Sequence, residues 1–209
     1  MQYTVVKSKR KTLSMSVNKQ GELVVRAPLF VRDAEIEEFV GRHRAWAEKQ
    51  LALHVPLPKF QNGDVIELEG RRYTIADGAR AALRGDMLLL PKTKRAEAFI
   101  ALLKKMASVR MKRLLDELCA RSRLSYEKLT ITSARSRWGS CSNRKHICFS
   151  FRTAFLPDSL AIYLAVHELC HTRHMNHSAK FWKAVEGFLP DYSERRNALK
   201  RYQWAMRCL

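Results

Sequence analysis

The chain has 209 residues, 46% of them hydrophobic, enough to bury a core without disulfide or metal staples. No apolar run approaches the ~18 residues of a membrane span, and Met1–Lys7 carries no secretory core, so a cytoplasmic protein off the membrane is expected. Its 39 Lys and Arg against 20 Asp and Glu give +19, spread along the chain, a field that favours polyanions such as nucleic acid without selecting one.

Alternation at Tyr3 and Val5, and again at Leu13, Met15 and Val17, predicts strands within residues 2–27. Asn18-Lys19-Gln20-Gly21 reads as a hairpin turn into Leu23-Val24-Val25, which Pro28 closes. Residues 32–54 read as one helix, with Asp33 as its cap and Ile36, Phe39, Val40, His43, Ala47 and Leu51 on one face. Pro56 and Pro58 break the chain. Residues 61–90 return to strands, with Asn62-Gly63 and Glu69-Gly70 as turns, and Pro91 ends them.

A long basic helix is predicted over 93–122, with Phe99, Leu102, Leu103, Met106, Val109, Leu114 and Leu118 as its apolar stripe and its lysines and arginines in solvent. Lys128–Ser133 and His146–Phe151 read as two strands linked by a turn around Ser142-Asn143. Asp158 then caps a helix apolar nearly all round, from Leu160 to Val166, and a helix of that kind is buried. Shorter helices are expected near 178–188 and 192–206, the second opened by an Asp191–Glu194 capping box. The shift from strands to long helices divides the chain at Pro91, into a strand-rich segment with one helix (1–91) and a second domain (92–209).

The buried helix carries His167-Glu168-Leu169-Cys170-His171. Histidines at i and i+4 share one helix face and can each bring Nε2 to a common Zn²⁺ at ~2.0–2.1 Å. Glu168 is rotated to the side, where it can accept a proton from a metal-bound water without occupying a metal position. Polar groups inside so apolar a helix are costly unless they do something. A third ligand is needed. His174 would lie about 10 Å along a continuous helix from His167, whereas Asn176 tolerates the left-handed conformation that ends a helix and lets His177 fold back. His177 is the expected ligand, with Glu186 as the competitor. Arg137, Tyr163 and His174 are the candidates for an oxyanion donor. The cysteines Cys119, Cys141, Cys148, Cys170 and Cys208, odd in number and without a C-x-x-C, suit a reducing compartment and read as small buried side chains.

Ser136-Arg137-Trp138-Gly139-Ser140-Cys141, then His167-Glu168-Leu169-Cys170-His171, then Met175-Asn176-His177-Ser178 with Phe181-Trp182, together resemble the YgjP-like metallopeptidase family, over nearly the whole chain. That family is similar to the zincin clan, which includes the SprT and WLM domains. The resemblance implies an α+β fold, a zincin-like metallohydrolase domain with a strand-rich N-terminal segment, and supports His177 as the third zinc ligand. It also implies that His146–Phe151 is the edge strand aligning an extended substrate, and Arg137, Trp138, His146 and Cys148 are the substrate-binding candidates that follow. Ser150 stands where many relatives carry Asn, and no role is assigned to it.

Three functions remain open. A zinc metallopeptidase acting on protein or peptide is favoured by the motif and the strand. A nucleoside triphosphate (UTP-type) pyrophosphatase is suggested by the same family name and by the +19 charge, although no P-loop is present and phosphoanhydride hydrolases usually use Mg²⁺ on carboxylates. A nucleic-acid-binding module with structural zinc is the third, opposed by the intact Glu168.

Overall fold

The computed structural model describes residues 1–18, 20–52, 60–207 and 209. The chain forms two compact units, Met1–Leu57 and Pro58–Arg207. The expected division at residue 91 is therefore displaced, and the reason is the core. Ile66, Leu68, Tyr73, Ile75, Leu88 and Leu90 are buried in one cluster with residues of the later helices such as Phe99, Leu103 and Leu160. A strand-rich stretch and a helical stretch cannot be separate domains when they share one apolar interior.

In the first unit, β1 (Thr4–Ser8), β2 (Ser14–Val17) and β3 (Leu23–Pro28) form a sheet of order β1-β3-β2. β2 and β3 are the expected hairpin, and the Asn18 side-chain oxygen accepts from the backbone N–H of Gln20 and of Glu22, each at 2.9 Å. The helix expected over 32–54 is two, α1 (Asp33–Arg42) and α2 (Arg44–Ala52). His43 breaks it with a φ of −106°. Residues 53 and 54 of that expected helix lie outside the described residues. Arg32 holds the cap position, while Asp33 pairs with Lys7 at 2.8 Å. Ile36 and Val40 of α1 pack on Val25 and Ala27, and Ala47 of α2 packs with Val17 and Leu23.

The second unit opens on β4 (Val65–Leu68), β5 (Arg71–Asp77), β6 (Ala82–Arg84) and β7 (Met87–Leu90), in the order β4-β5-β7-β6. Glu69 and Gly70 turn between β4 and β5 with φ of +51° and +77°, the paired left-handed conformation of a tight hairpin. α3 (Arg95–Ala120) buries Phe99, Leu103, Ala107, Met111, Leu114 and Leu115. Two expectations fail on this helix: Val109 is 66% exposed and Arg110 only 5%. Arg110 donates to the carbonyls of Leu156 (2.9 Å) and Thr153 (3.4 Å) and to the Asp158 carboxylate (2.6 Å).

The next sheet contains β8 (Lys128–Thr132), β9 (Gly139–Cys141) and β10 (His146–Ser150), ordered β8-β10-β9. β8 and β10 are parallel, so the two strands do not form a hairpin; the hairpin joins β9 to β10. Ser150 has a structural part: its hydroxyl donates to the Ala134 carbonyl at 2.8 Å and caps the 3-10 turn Phe151–Phe155. Buried Arg152 donates to the carbonyls of Ser133 and Ala134, both at 3.2 Å, fixing the stretch that leads to Arg137.

α4 (Asp158–His171) is buried as expected, but Pro157 takes its cap position and Asp158 serves Arg110 instead. α5 (Ala179–Phe188) and α6 (Tyr192–Leu199) follow, and the helix expected to reach 206 is interrupted by a 3-10 turn at Lys200–Tyr202 before α7 (Gln203–Arg207). Asp191 makes no side-chain cap and pairs with Arg195 at 2.9 Å. The architecture is mixed α+β. Among the described residues no helix is long and apolar enough to cross a membrane.

Candidate metal centre

α4 sets His167 and His171 one turn apart on one face. It ends in a tightened turn, in which Arg173 and His174 both donate their N–H to the Cys170 carbonyl (3.1 and 3.0 Å) and the Thr172 hydroxyl donates to Leu169 (2.7 Å). Asn176 is not among the residues with positive φ, so the chain returns without the left-handed turn expected there. It nevertheless brings His177 back to the pair. The Nε2 atoms lie 3.3 Å apart for His167 and His171, 3.2 Å for His171 and His177, and 3.1 Å for His167 and His177.

The His171 Nδ1 stands 2.9 Å from the His174 carbonyl. A carbonyl only accepts, so Nδ1 carries the hydrogen and Nε2 turns a bare lone pair toward the other two rings. His174 therefore serves through its backbone, and its ring is not in the cluster. Glu186, the competing ligand, is not part of it either: among the described residues, the group able to hold a metal is His167, His171 and His177. Three imidazole nitrogens so close cannot all satisfy one another by N–H···N bonds. A tetrahedral ion with bonds of ~2.0–2.1 Å sets its ligand nitrogens about 3.3 Å apart, which is the spacing found.

Burial, and then the neighbouring His171 and His177, push His167 down to about 3, and burial also lowers His171. Both rings are thus neutral near pH 7, the form that binds metal. Phe181 stacks on His171 with centroids 4.3 Å apart, and Trp182 stacks on His177 at 5.5 Å. These aromatics of α5 supply the dry wall around the imidazoles.

Glu168 is 5% exposed, and burial lifts it to about 8 while the charge of Arg137 pulls it back. Gly139 lies against it: a β-carbon there would fall 2.6 Å from Glu168 Oε1. β9 is thus the edge strand packed on α4. The expectation that β10 plays that part is corrected, since β10 is the central strand, paired on both sides. His146 is exposed at the start of β10, Trp138 is buried, and Cys148 lines a cavity of about 150 Å³ with Arg137, Gly139 and Ser140. Cys170 is buried, while Cys119, Cys141 and Cys148 are half-buried, all four free; Cys208 lies outside the described residues.

The sequence pattern of the YgjP-like family, metallopeptidase domain, matches residues 11–202. The chain belongs to this family. Membership in the YgjP-like family makes it a hydrolase of the metallopeptidase type. The crystal structure of the metallopeptidase zymogen of Methanocaldococcus jannaschii jannalysin is similar over 44% of this chain and 94% of that one, with 17% identity and a TM-score of 0.36. No curated protein matches. Two residues packed beside the histidine cluster were not singled out from the sequence. Tyr192 stacks on Trp182 at 5.3 Å, and the Arg196 guanidinium lies 4.8 Å from the centre of that ring. The available signal was their i, i+4 spacing, which sets both on one face of α6.

Proposed function

We propose that this YgjP-like chain is a zinc metallopeptidase in which Glu168 is the general base. The convergence of three Nε2 atoms within 3.3 Å, with the buried Glu168 next to His167 in α4, carries this reading. A zinc ion held by His167, His171 and His177 would act as a Lewis acid and lower the pKa of bound water toward ~7. Glu168 takes the proton of the attacking water and returns it to the leaving amine nitrogen. Gly139 and the wall of β9 hold its carboxylate in one place, and Arg137 favours its charged form. Tyr163, kept protonated by burial that lifts it to about 12, is the donor available to a developing oxyanion, its ring 5.8 Å from that of His167. The edge strand β9 offers unpaired backbone groups to an extended peptide. A reducing compartment such as the cytoplasm suits five cysteines without a C-x-x-C.

The test is zinc analysis joined to a hydrolysis screen over unfolded proteins, peptides and nucleoside triphosphates. About one zinc per chain and cleavage of peptide bonds are expected. Glu168→Gln keeps the zinc and loses ~10²–10⁴-fold in rate. Hydrolysis of nucleoside triphosphates alone would replace the peptidase with the pyrophosphatase. Salt-dependent DNA binding without any hydrolysis would point to a structural zinc.

A further inference from the structure

Arg196 is an exposed cation beside a cation site. Its guanidinium sits 4.8 Å from the centroid of Trp182, whose ring stacks on His177 at 5.5 Å and lies 5.9 Å from His167. Tyr192, one turn earlier on α6, stacks on Trp182 at 5.3 Å and 17°. Asp191, at the cap position of α6, is taken by Arg195 at 2.9 Å, and neither Glu194 of α6 nor any other acid forms an ion pair with Arg196 among the described residues. Arg196 is near enough for its charge to act on both His167 and Tyr163. Arg137, before β9, is likewise exposed and acts on Glu168.

That placement is unfavourable for a protein that only stores a metal. A fixed positive charge repels a divalent ion, and an aliphatic side chain would cover Trp182 equally well. The charge becomes favourable once an anion enters the cleft. The cation–π contact restrains the side chain before any ligand arrives, and the guanidinium offers a planar fork of donors that matches a carboxylate.

We infer that Arg196 is a specificity residue that binds a substrate carboxylate close to the scissile bond, so that acidic peptides are the preferred substrates. The inference rests on the peptidase reading. The carboxylate has two sources, an Asp or Glu side chain or a free peptide C-terminus.

The experiment digests a proteome-derived peptide library with the zinc-loaded enzyme and maps the cuts. Asp, Glu or a free C-terminus is expected within about two residues of the cleaved bond. Synthetic versions of the best substrate then carry either the carboxylate or its amide, at the side chain and at the C-terminus separately, which identifies the source. The amide lowers kcat/KM about tenfold or more, chiefly through KM. The same discrimination appears in direct titration of the peptides onto zinc-loaded Glu168→Gln protein, where nothing is cleaved. In Arg196→Gln the discrimination disappears, in Arg196→Lys part of it remains, and in Lys200→Gln, farther along the chain, it is unchanged. Zinc content and circular dichroism confirm that each variant folds. Cleavage without acid preference, or discrimination undiminished in both Arg196 variants, overturns the inference alone. Wild-type protein that cuts no peptide defeats the peptidase reading and the inference with it.

Discussion

Gly139 of β9 and Glu168 of α4 fit so closely that only hydrogen can occupy the β position between them, since a β-carbon would fall 2.6, 2.8 and 2.9 Å from Oε1, Cγ and Cδ of the glutamate. The glutamate tip is the movable partner, so alanine at 139 shifts the carboxylate and not the strand. Gly139→Ala is expected to keep zinc and fold yet lose about 10²-fold in kcat, the cost of displacing a reacting group by roughly an ångström. Measuring kcat and zinc content on the same preparation checks this. Full activity in the alanine variant would show that the carboxylate tolerates displacement.

What was legible in the sequence was local. The His167–His171 pair follows from helical periodicity alone, and His177 from the need for a third ligand. The glycine turns at Asn18–Gly21 and Glu69–Gly70 were readable for the same reason, because a conformation within four residues decides them. Pairing across distance was not readable. Lys128–Ser133 was readable as a strand, but not its parallel direction against β10, and the three residues Gly139–Cys141 are too short to show the alternation that would announce β9 as a second partner, which makes β10 central. Arg110 was hidden by its type: an arginine in a basic helix reads as solvated, and its burial is explained by distant partners, the carbonyls of Thr153 and Leu156 and the Asp158 carboxylate. Gly139 has no local signature, because its function exists only against Glu168.

The two later histidines give opposite expectations. His177 contributes its ring nitrogen to the cluster, and His174 contributes a backbone carbonyl to His171 Nδ1. His177→Ala is expected to weaken zinc by more than about 100-fold, beyond the 10–100-fold typical of losing an orienting contact. His174→Ala leaves that carbonyl in place and stays within a few-fold of wild type. Competition with a fluorescent chelator measures both. Equal affinities for the two variants would refute the ligand assignment.

Arg110 joins α3 to the start of α4. Arg110→Ala removes the donor to the buried carbonyls of Leu156 and Thr153 and a packed alkyl stem, at an expected cost of about 2–3 kcal/mol. Asp158, its acidic partner, has a side chain that is 73% exposed, so Asp158→Asn is expected to cost less than about 1 kcal/mol. Urea unfolding of both variants reads the difference. Similar losses would mean that the ion pair, and not the backbone contacts, holds the helix.

The buried Glu168 carboxyl makes the metal-free protein sensitive to pH. Burial lifts Glu168 from 4.5 to about 8, so the folded state holds that proton more tightly than the unfolded chain does. The resulting contribution to stability is complete below the unfolded value and is lost as pH rises through the window from 4.5 to about 8. His167 runs the other way. Its folded value of about 3 lies under the unfolded 6.5, so its contribution is complete above 6.5 and is lost as pH falls toward 3. Because the two overlap, Glu168 is read from a difference between proteins. Glu168→Gln resembles the protonated acid at every pH and has no such loss. In chelator-treated samples the two melting temperatures are expected to lie close at pH 5, where the loss is still under about 1 kcal/mol, and to separate progressively toward pH 8, with the variant the more stable by about 4 kcal/mol at most. Saturating zinc favours the carboxylate and narrows the gap. Melting curves of the metal-free pair that stay parallel from pH 5 to pH 8 would mean that Glu168 is hydrated enough to ionise normally, and the dry base pocket formed by Gly139 and α4 would have to be abandoned.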